Sequence, residues 1–282
     1  MPPDIDLTRG GYGGDDIEEG FKSFTGEHME YWWHFREVLV ASDRKSSARW
    51  KMINGSLMPD DDYRELIAVS QLNYAVYTGI AEALSFRDDI QTAVQQNNLF
   101  GAKRAWKSLY SSLYGSFNAF CNLAYVVICK ASPFGNDPQN PRNPKTRDIK
   151  DGLKKVGATS VVKVIECCDA RLTIRHQLDH WWTIWTAFIP DVGTQQVSFR
   201  LDSAFSRGYI RVNPETEIDW TQSIDVLQRA MDDIEGCADG FNSIYKEMAR
   251  TDGALDKYLT DNGWYIDYSE FGEPHNGKRP SP

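Results

Sequence analysis

The stretch ATSVVKVIECCDARLTIRHQLDHWWTIWTAFI, residues 158–189, decides how this chain is read. Its apolar positions Val161, Ile165, Cys168 and Leu172 recur at three- and four-residue steps, the spacing of one helix face. Pro190 closes the run, so the pattern predicts a long helix over about 158–189, ~45 Å at ~1.5 Å per residue. Extending that face by the 3.6-residue period lands between Arg175 and His176, then at Asp179, then near Trp182. The core-facing stripe therefore turns polar for about one and a half turns before it becomes aromatic. Burying an Arg, a His and an Asp costs several kcal/mol unless they are paired or face a wet cleft. A cleft is the simplest reason for the interruption.

Outward from this segment, helical periodicity continues to dominate. Met29, Trp32, Trp33 and Val38 predict a helix over about 26–41. Tyr63, Leu66, Ile67, Tyr74, Tyr77, Ile80 and Leu84 predict one over about 59–93, opened by Pro59 and the acids at 60–62. Trp106, Leu109, Leu113, Phe117, Phe120, Ala124 and Val127 place another over about 102–130. The Pro- and Asn-rich residues 132–144 form an exposed loop. A short basic helix, 146–156, follows with Lys145, Arg147, Lys150, Lys154 and Lys155 and stops at Gly157; a last helix covers about 221–250. Between the last two long helices, VSFRLD and YIRV around SRG alternate as a β-hairpin at about 196–212. The expected architecture is mainly α, one helical domain over 25–270 with a small inserted hairpin, flanked by Gly/Asp-rich and Pro/Gly-rich tails at 1–24 and 271–282.

Composition bounds the function. With 282 residues, 41% apolar, the chain is long enough for a sizeable core. Its 31 Lys+Arg against 40 Asp+Glu leave a formal charge of −9, so the whole molecule repels polyanions and any nucleic-acid site must be a local basic groove. Without ~18 consecutive apolar residues or an apolar N-terminal segment, the expectation is a cytoplasmic protein with no membrane partner. Cys121, Cys129, Cys167, Cys168 and Cys237 are odd in number and fit reduced core thiols. The run Gly10-Gly11-Tyr12-Gly13-Gly14 lacks the Lys-Ser/Thr of a phosphate-binding loop.

The polar interruption reads Arg175-His176-Gln177-Leu178-Asp179-His180, an Arg followed at once by a polar residue and, four positions after that, by a His. This resembles the signature of the HEPN superfamily, and the resemblance extends to the helical segments from about 102 to 189. It implies a HEPN-like helical bundle and a metal-independent endoribonuclease needing no cofactor. It further implies a homodimer in which two motif copies meet across a cleft, leaving a 2′,3′-cyclic phosphate on the RNA substrate. Carried over by position, Arg175 contacts the scissile phosphate, His180 acts as general acid/base and His176 supports them. Such domains commonly serve as toxins or anti-phage effectors, restrained by a separate antitoxin or regulator protein.

The chemistry is reasonable on its own terms. A His titrating near neutral pH moves protons at a 2′-OH or 5′-oxygen, and an Arg fork stabilises charge on phosphorus. Residues five apart project roughly 140° from each other around a helix, so one isolated copy of Arg175 and His180 is poorly assembled and two crossing helices suit better. Arg171, Lys154, Lys155 and Asp179 are the expected substrate-binding residues, with Arg171 one turn before Arg175. Trp181, Trp182 and Trp185 suit core or dimer packing better than base stacking. Asn118, Asn122 or Glu166 would fit a supporting polar role on a neighbouring helix.

Two other readings remain open. Arg175 and Asp179 make an i,i+4 ion pair with both histidines as bystanders, leaving an inactive HEPN-like interaction or regulatory protein. Alternatively His176 and His180 form an i,i+4 metal pair with Cys168 or Asp179, although Gln177 stands where a zinc-protease helix carries Glu.

Overall fold

Helices dominate the computed structural model, which describes residues 19–43, 50–53, 56–59, 61–96, 98–133, 144–173, 175, 186–190, 197–201, 224–250 and 252–262. In chain order these are α1 (Glu19–His28), α2 (Glu30–Asp43), β1 (Trp50–Ile53), β2 (Ser56–Pro59), α3 (Asp61–Gln95) and α4 (Leu99–Cys129). They continue with α5 (Thr146–Lys155), α6 (Thr159–Arg171), β3 (Thr186–Pro190), β4 (Val197–Leu201), β5 (Ile224–Asp225), α7 (Val226–Ala249) and α8 (Ala254–Asp261).

The long periodic segments at 59–93, 102–130 and 221–250 and the short basic segment at 146–156 form helices within a few residues of their expected positions. Their ends follow backbone chemistry. Lys130 takes φ 54 beyond the last residue of α4, the left-handed conformation that ends a helix, and Pro133 follows. After α5, Gly157 takes φ 78 while Gly157 N–H donates to Lys154 O and Ala158 N–H to Leu153 O, the paired bonds of a Schellman ending.

Elsewhere the structure departs from the periodicity. The helix expected at 26–41 is two helices broken at Met29, and α1 starts inside the stretch read as a tail and buries Phe24. Pro59 ends a strand: β1 and β2 pair antiparallel with Trp50 opposite Pro59 and Ile53 opposite Ser56, around the hairpin dipeptide Asn54-Gly55 of the sequence. The helix expected over 158–189 does not run that far. Regular α6 ends at Arg171, and Thr186–Pro190 is a strand paired antiparallel with Val197–Leu201, Phe188 opposite Phe199. The β-branched and aromatic residues of Thr186-Ala187-Phe188-Ile189 favour a strand, and Pro190 sits at its end, where a missing N–H does least harm. Of the hairpin expected at 196–212, Val197–Leu201 is β4, which pairs with β3 and β5, and Tyr209–Val212 lie outside the described residues. The last helix begins at Val226, five residues later than expected, because Ile224–Asp225 pairs with β4.

The chain divides into two compact units. The first holds 1–77, 118–165 and 238–282; the second holds 78–117 and 166–237. In the first, Trp32 stacks on Tyr77 at 4.5 Å and donates from Nε1 to the Asn73 carbonyl at 2.8 Å. Phe120 stacks on Phe241 at 4.3 Å, and Tyr245 meets both Phe120 and Phe35 edge-on. Each ring is buried, so large apolar surface and aromatic geometry work together. In the second, α3 and α4 approach closely at Gly79, where an added Cβ would lie 2.7 Å from Ser116 Cβ and 2.8 Å from the Ser112 carbonyl. Only glycine allows that spacing.

Phe100–Cys129 is the one helix among the described residues long and apolar enough to cross a membrane. Its Trp106, Leu109, Leu113, Phe117, Phe120 and Ala124 are fully buried, which is the signature of a core helix.

Candidate active site at the end of α6

The motif begins where α6 gives out, in the second unit. Arg175 is half-buried and its guanidinium lies over the Tyr114 ring, 4.0 Å from the centroid, a cation–π contact with α4. Its amide N–H donates to the Leu172 carbonyl, so the backbone after Arg171 keeps a tightened helical turn. His176, Asp179 and His180 lie outside the described residues, as do Trp181, Trp182 and Trp185.

One turn earlier stands an ionic cluster built on Asp233 of α7, whose side chain is wholly buried. Tyr110 O–H donates to its Oδ2 at 2.7 Å, and Arg229 Nε donates to the same oxygen at 2.8 Å from the preceding turn. Arg171 Nη1 lies 3.6 Å from Oδ1 and donates to the Asp232 carbonyl at 3.3 Å. Gly236 makes the space: a Cβ there would fall 2.5 Å from Arg171 Cζ. Arg171, expected to bind substrate, is thus engaged with the protein.

The electrostatics follow burial first. Burial raises the Asp233 carboxyl above the ordinary carboxylate range, against the opposing pull of the Tyr110 hydrogen bond and of Arg229 and Arg171. Tyr110 is pushed well up by burial and then by the Asp233 charge. Burial disfavours charge on Arg229, but Asp233 outweighs it and the net shift is upward. Next to this cluster, the Cys237 thiol is held protonated by its hydrogen bond with Cys168 and by burial. Cys121, Cys168 and Cys237 are buried free thiols as expected, whereas Cys167 is exposed.

Lys154 and Lys155 project from the exposed side of α5, whose Ile149 and Leu153 are buried, in the first unit. Asn122 donates to the Asn118 carbonyl of its own helix, and Glu166 is exposed on α6. Among the described residues no group of three His, Cys, Asp or Glu is placed to hold a metal.

Asp233 and Tyr110 went unread in the sequence, although a signal existed. Asp233 falls on the stripe formed by Ala230, Ile234, Cys237 and Phe241, and a carboxylate on a core stripe demands partners. Tyr114 carried no such signal, because a tyrosine on an amphipathic helix is ordinary.

No family model, curated protein or solved structure matches the chain.

Proposed function

We propose that the chain is a metal-independent endoribonuclease of HEPN type, acting as a cytoplasmic homodimer on an RNA substrate. The observation that carries this reading is the Arg175-His176-x3-His180 pattern, whose first residue sits just past α6 in a mainly helical protein, with Arg171 one turn before it. In the proposed reaction a general base, His180, removes the ribose 2′-OH proton and the 2′-oxygen attacks the adjacent phosphorus. The bond from phosphorus to the 5′-oxygen breaks, and that oxygen takes a proton from the partner copy's His180 acting as acid. Arg175 stabilises the charge that builds on the phosphoryl oxygens, and His176 supports the pair. The products are a 2′,3′-cyclic phosphate and a 5′-hydroxyl. A toxin or anti-phage role, with a separate antitoxin or regulator, is the biological setting this chemistry suits.

A second reading has one observation in its favour. Arg171 is tied to Asp233, and Arg175 lies against Tyr114, contacts that suit structural arginines in an inactive interaction module. Mixed-sequence RNA incubated in EDTA separates the two: the nuclease leaves cyclic-phosphate ends that disappear in Arg175→Ala, and the module leaves RNA intact.

A further inference from the structure

A groove of about 580 Å3 opens between α3 and α4 within the second unit. One part of its lining is aromatic: Phe86 from α3 and Phe100 from the first turn of α4. Phe100 is 76% exposed, whereas Trp106, Leu109, Leu113, Phe117 and Phe120 further along α4 are buried, so the ring stands out of the packed face. From Phe100 the lining continues along one stripe of α4 through Arg104, Lys107, Ser108 and Ser111, at three- and four-residue steps. Across it, Ser112 donates to the Glu82 carboxylate at 2.9 Å, fixing the one acid among the described lining residues. Among the described lining residues, two cations to one carboxylate make the groove locally basic in a chain of charge −9.

We propose that this groove binds a nucleotide unit, with the base against Phe100 and Phe86 and the phosphate at Arg104 and Lys107. An aromatic ring beside a cation pair matches the two halves of a nucleotide, since stacking tolerates any base and the phosphate takes the positive charge. The Ser108 and Ser111 hydroxyls add donors for phosphate oxygens, and Glu82 offers an acceptor for a ribose hydroxyl. A purely apolar peptide would leave the Arg104 guanidinium and the Ser108 and Ser111 hydroxyls desolvated. The unit is either a free mononucleotide or one residue of an RNA strand. Among the described residues of the motif, Arg175 is not part of the groove lining.

The test is binding of AMP by calorimetry and of a fluorescent 2′-O-methyl octanucleotide by anisotropy, the second lacking the hydroxyl that cleavage requires. At least one probe is expected to bind. AMP binding marks a free-nucleotide site, and oligonucleotide binding without AMP marks an RNA-strand site. Arg104→Ala/Lys107→Ala should weaken binding at least tenfold and flatten the salt dependence, and Phe100→Ala should weaken it several-fold. Melting temperatures should stay near wild type for Phe100→Ala and for Arg104→Ala alone, because Phe100 and Arg104 are exposed. No binding of either probe at millimolar concentration overturns the inference, as does unchanged binding in both variants. Equal binding of a poly-glutamate peptide that ignores Phe100→Ala also overturns it. Binding without RNA cleavage sinks the nuclease reading alone; cleavage without groove binding sinks this one alone.

Discussion

Asp233 supports a prediction in which two nearly identical substitutions have different consequences. Its side chain is fully buried, whereas its arginine partners Arg229 and Arg171 are 35% and 43% exposed. Asp233→Asn keeps the volume and an oxygen for Tyr110, loses the charge attraction and removes the cost of burying a carboxylate. The arginines rehydrate, so the net loss should be only about 0.5–1.5 kcal/mol. Asp233→Ala leaves the Tyr110 hydroxyl without its acceptor in a fully buried site and opens a small cavity, together costing about 2–4 kcal/mol. Because the folded carboxyl is raised, its stabilising contribution is complete below the unfolded value of about 3.9 and is lost as pH rises through the folded value. Asn carries no such proton, so wild type should gain on Asp233→Asn as the pH falls through that window. Urea unfolding of all three proteins from pH 7 downward measures both effects. Equal losses for Asn and Ala, or a wild-type advantage that shrinks on acidification, would show that Coulomb attraction outweighs burial and refute the reasoning.

Other expectations follow from single contacts. Gly79→Ala drives a Cβ into Ser116 and the Ser112 carbonyl and should cost about 1–3 kcal/mol, read by thermal melting. Phe120→Ala removes a buried ring stacked on Phe241 and should cost about 3–5 kcal/mol in urea unfolding. Arg175→Ala deletes the contact with Tyr114 and should cost only about 0.5–2 kcal/mol while abolishing RNA cleavage; a folded, fully active variant would remove Arg175 from the chemistry. Dialysis against EDTA should leave the melting temperature unchanged, and a fall would favour the His176/His180 metal pair over the metal-independent reading.

The long helices were legible because each buries a continuous face: the stripe from Trp106 through Phe117 to Ala124 fixes period and extent together. Strands were harder. The run Thr186–Ile189 is apolar at a length that suits either a helix end or a strand, and pairing with Val197–Leu201, a non-local event, decides between them. The β1–β2 hairpin had its Asn54-Gly55 signal, overshadowed by the helix start that Pro59 imitates. At the candidate site, Arg171 and Arg175 were legible as polar residues on or beside an apolar stripe, but their partners Asp233 and Tyr114 come from α7 and α4, and no local pattern pairs residues so far apart in sequence. The groove was hidden because Phe86 and Phe100 lie on different helices, which no single helical pattern relates.

The most direct test of the central claim is purified protein incubated with mixed-sequence RNA in EDTA, beside His180→Ala, followed by analysis of the new ends. The account predicts 2′,3′-cyclic phosphate and 5′-hydroxyl ends from wild type and intact RNA from the variant. Cleavage that survives His180→Ala, or that requires a divalent metal, would contradict it.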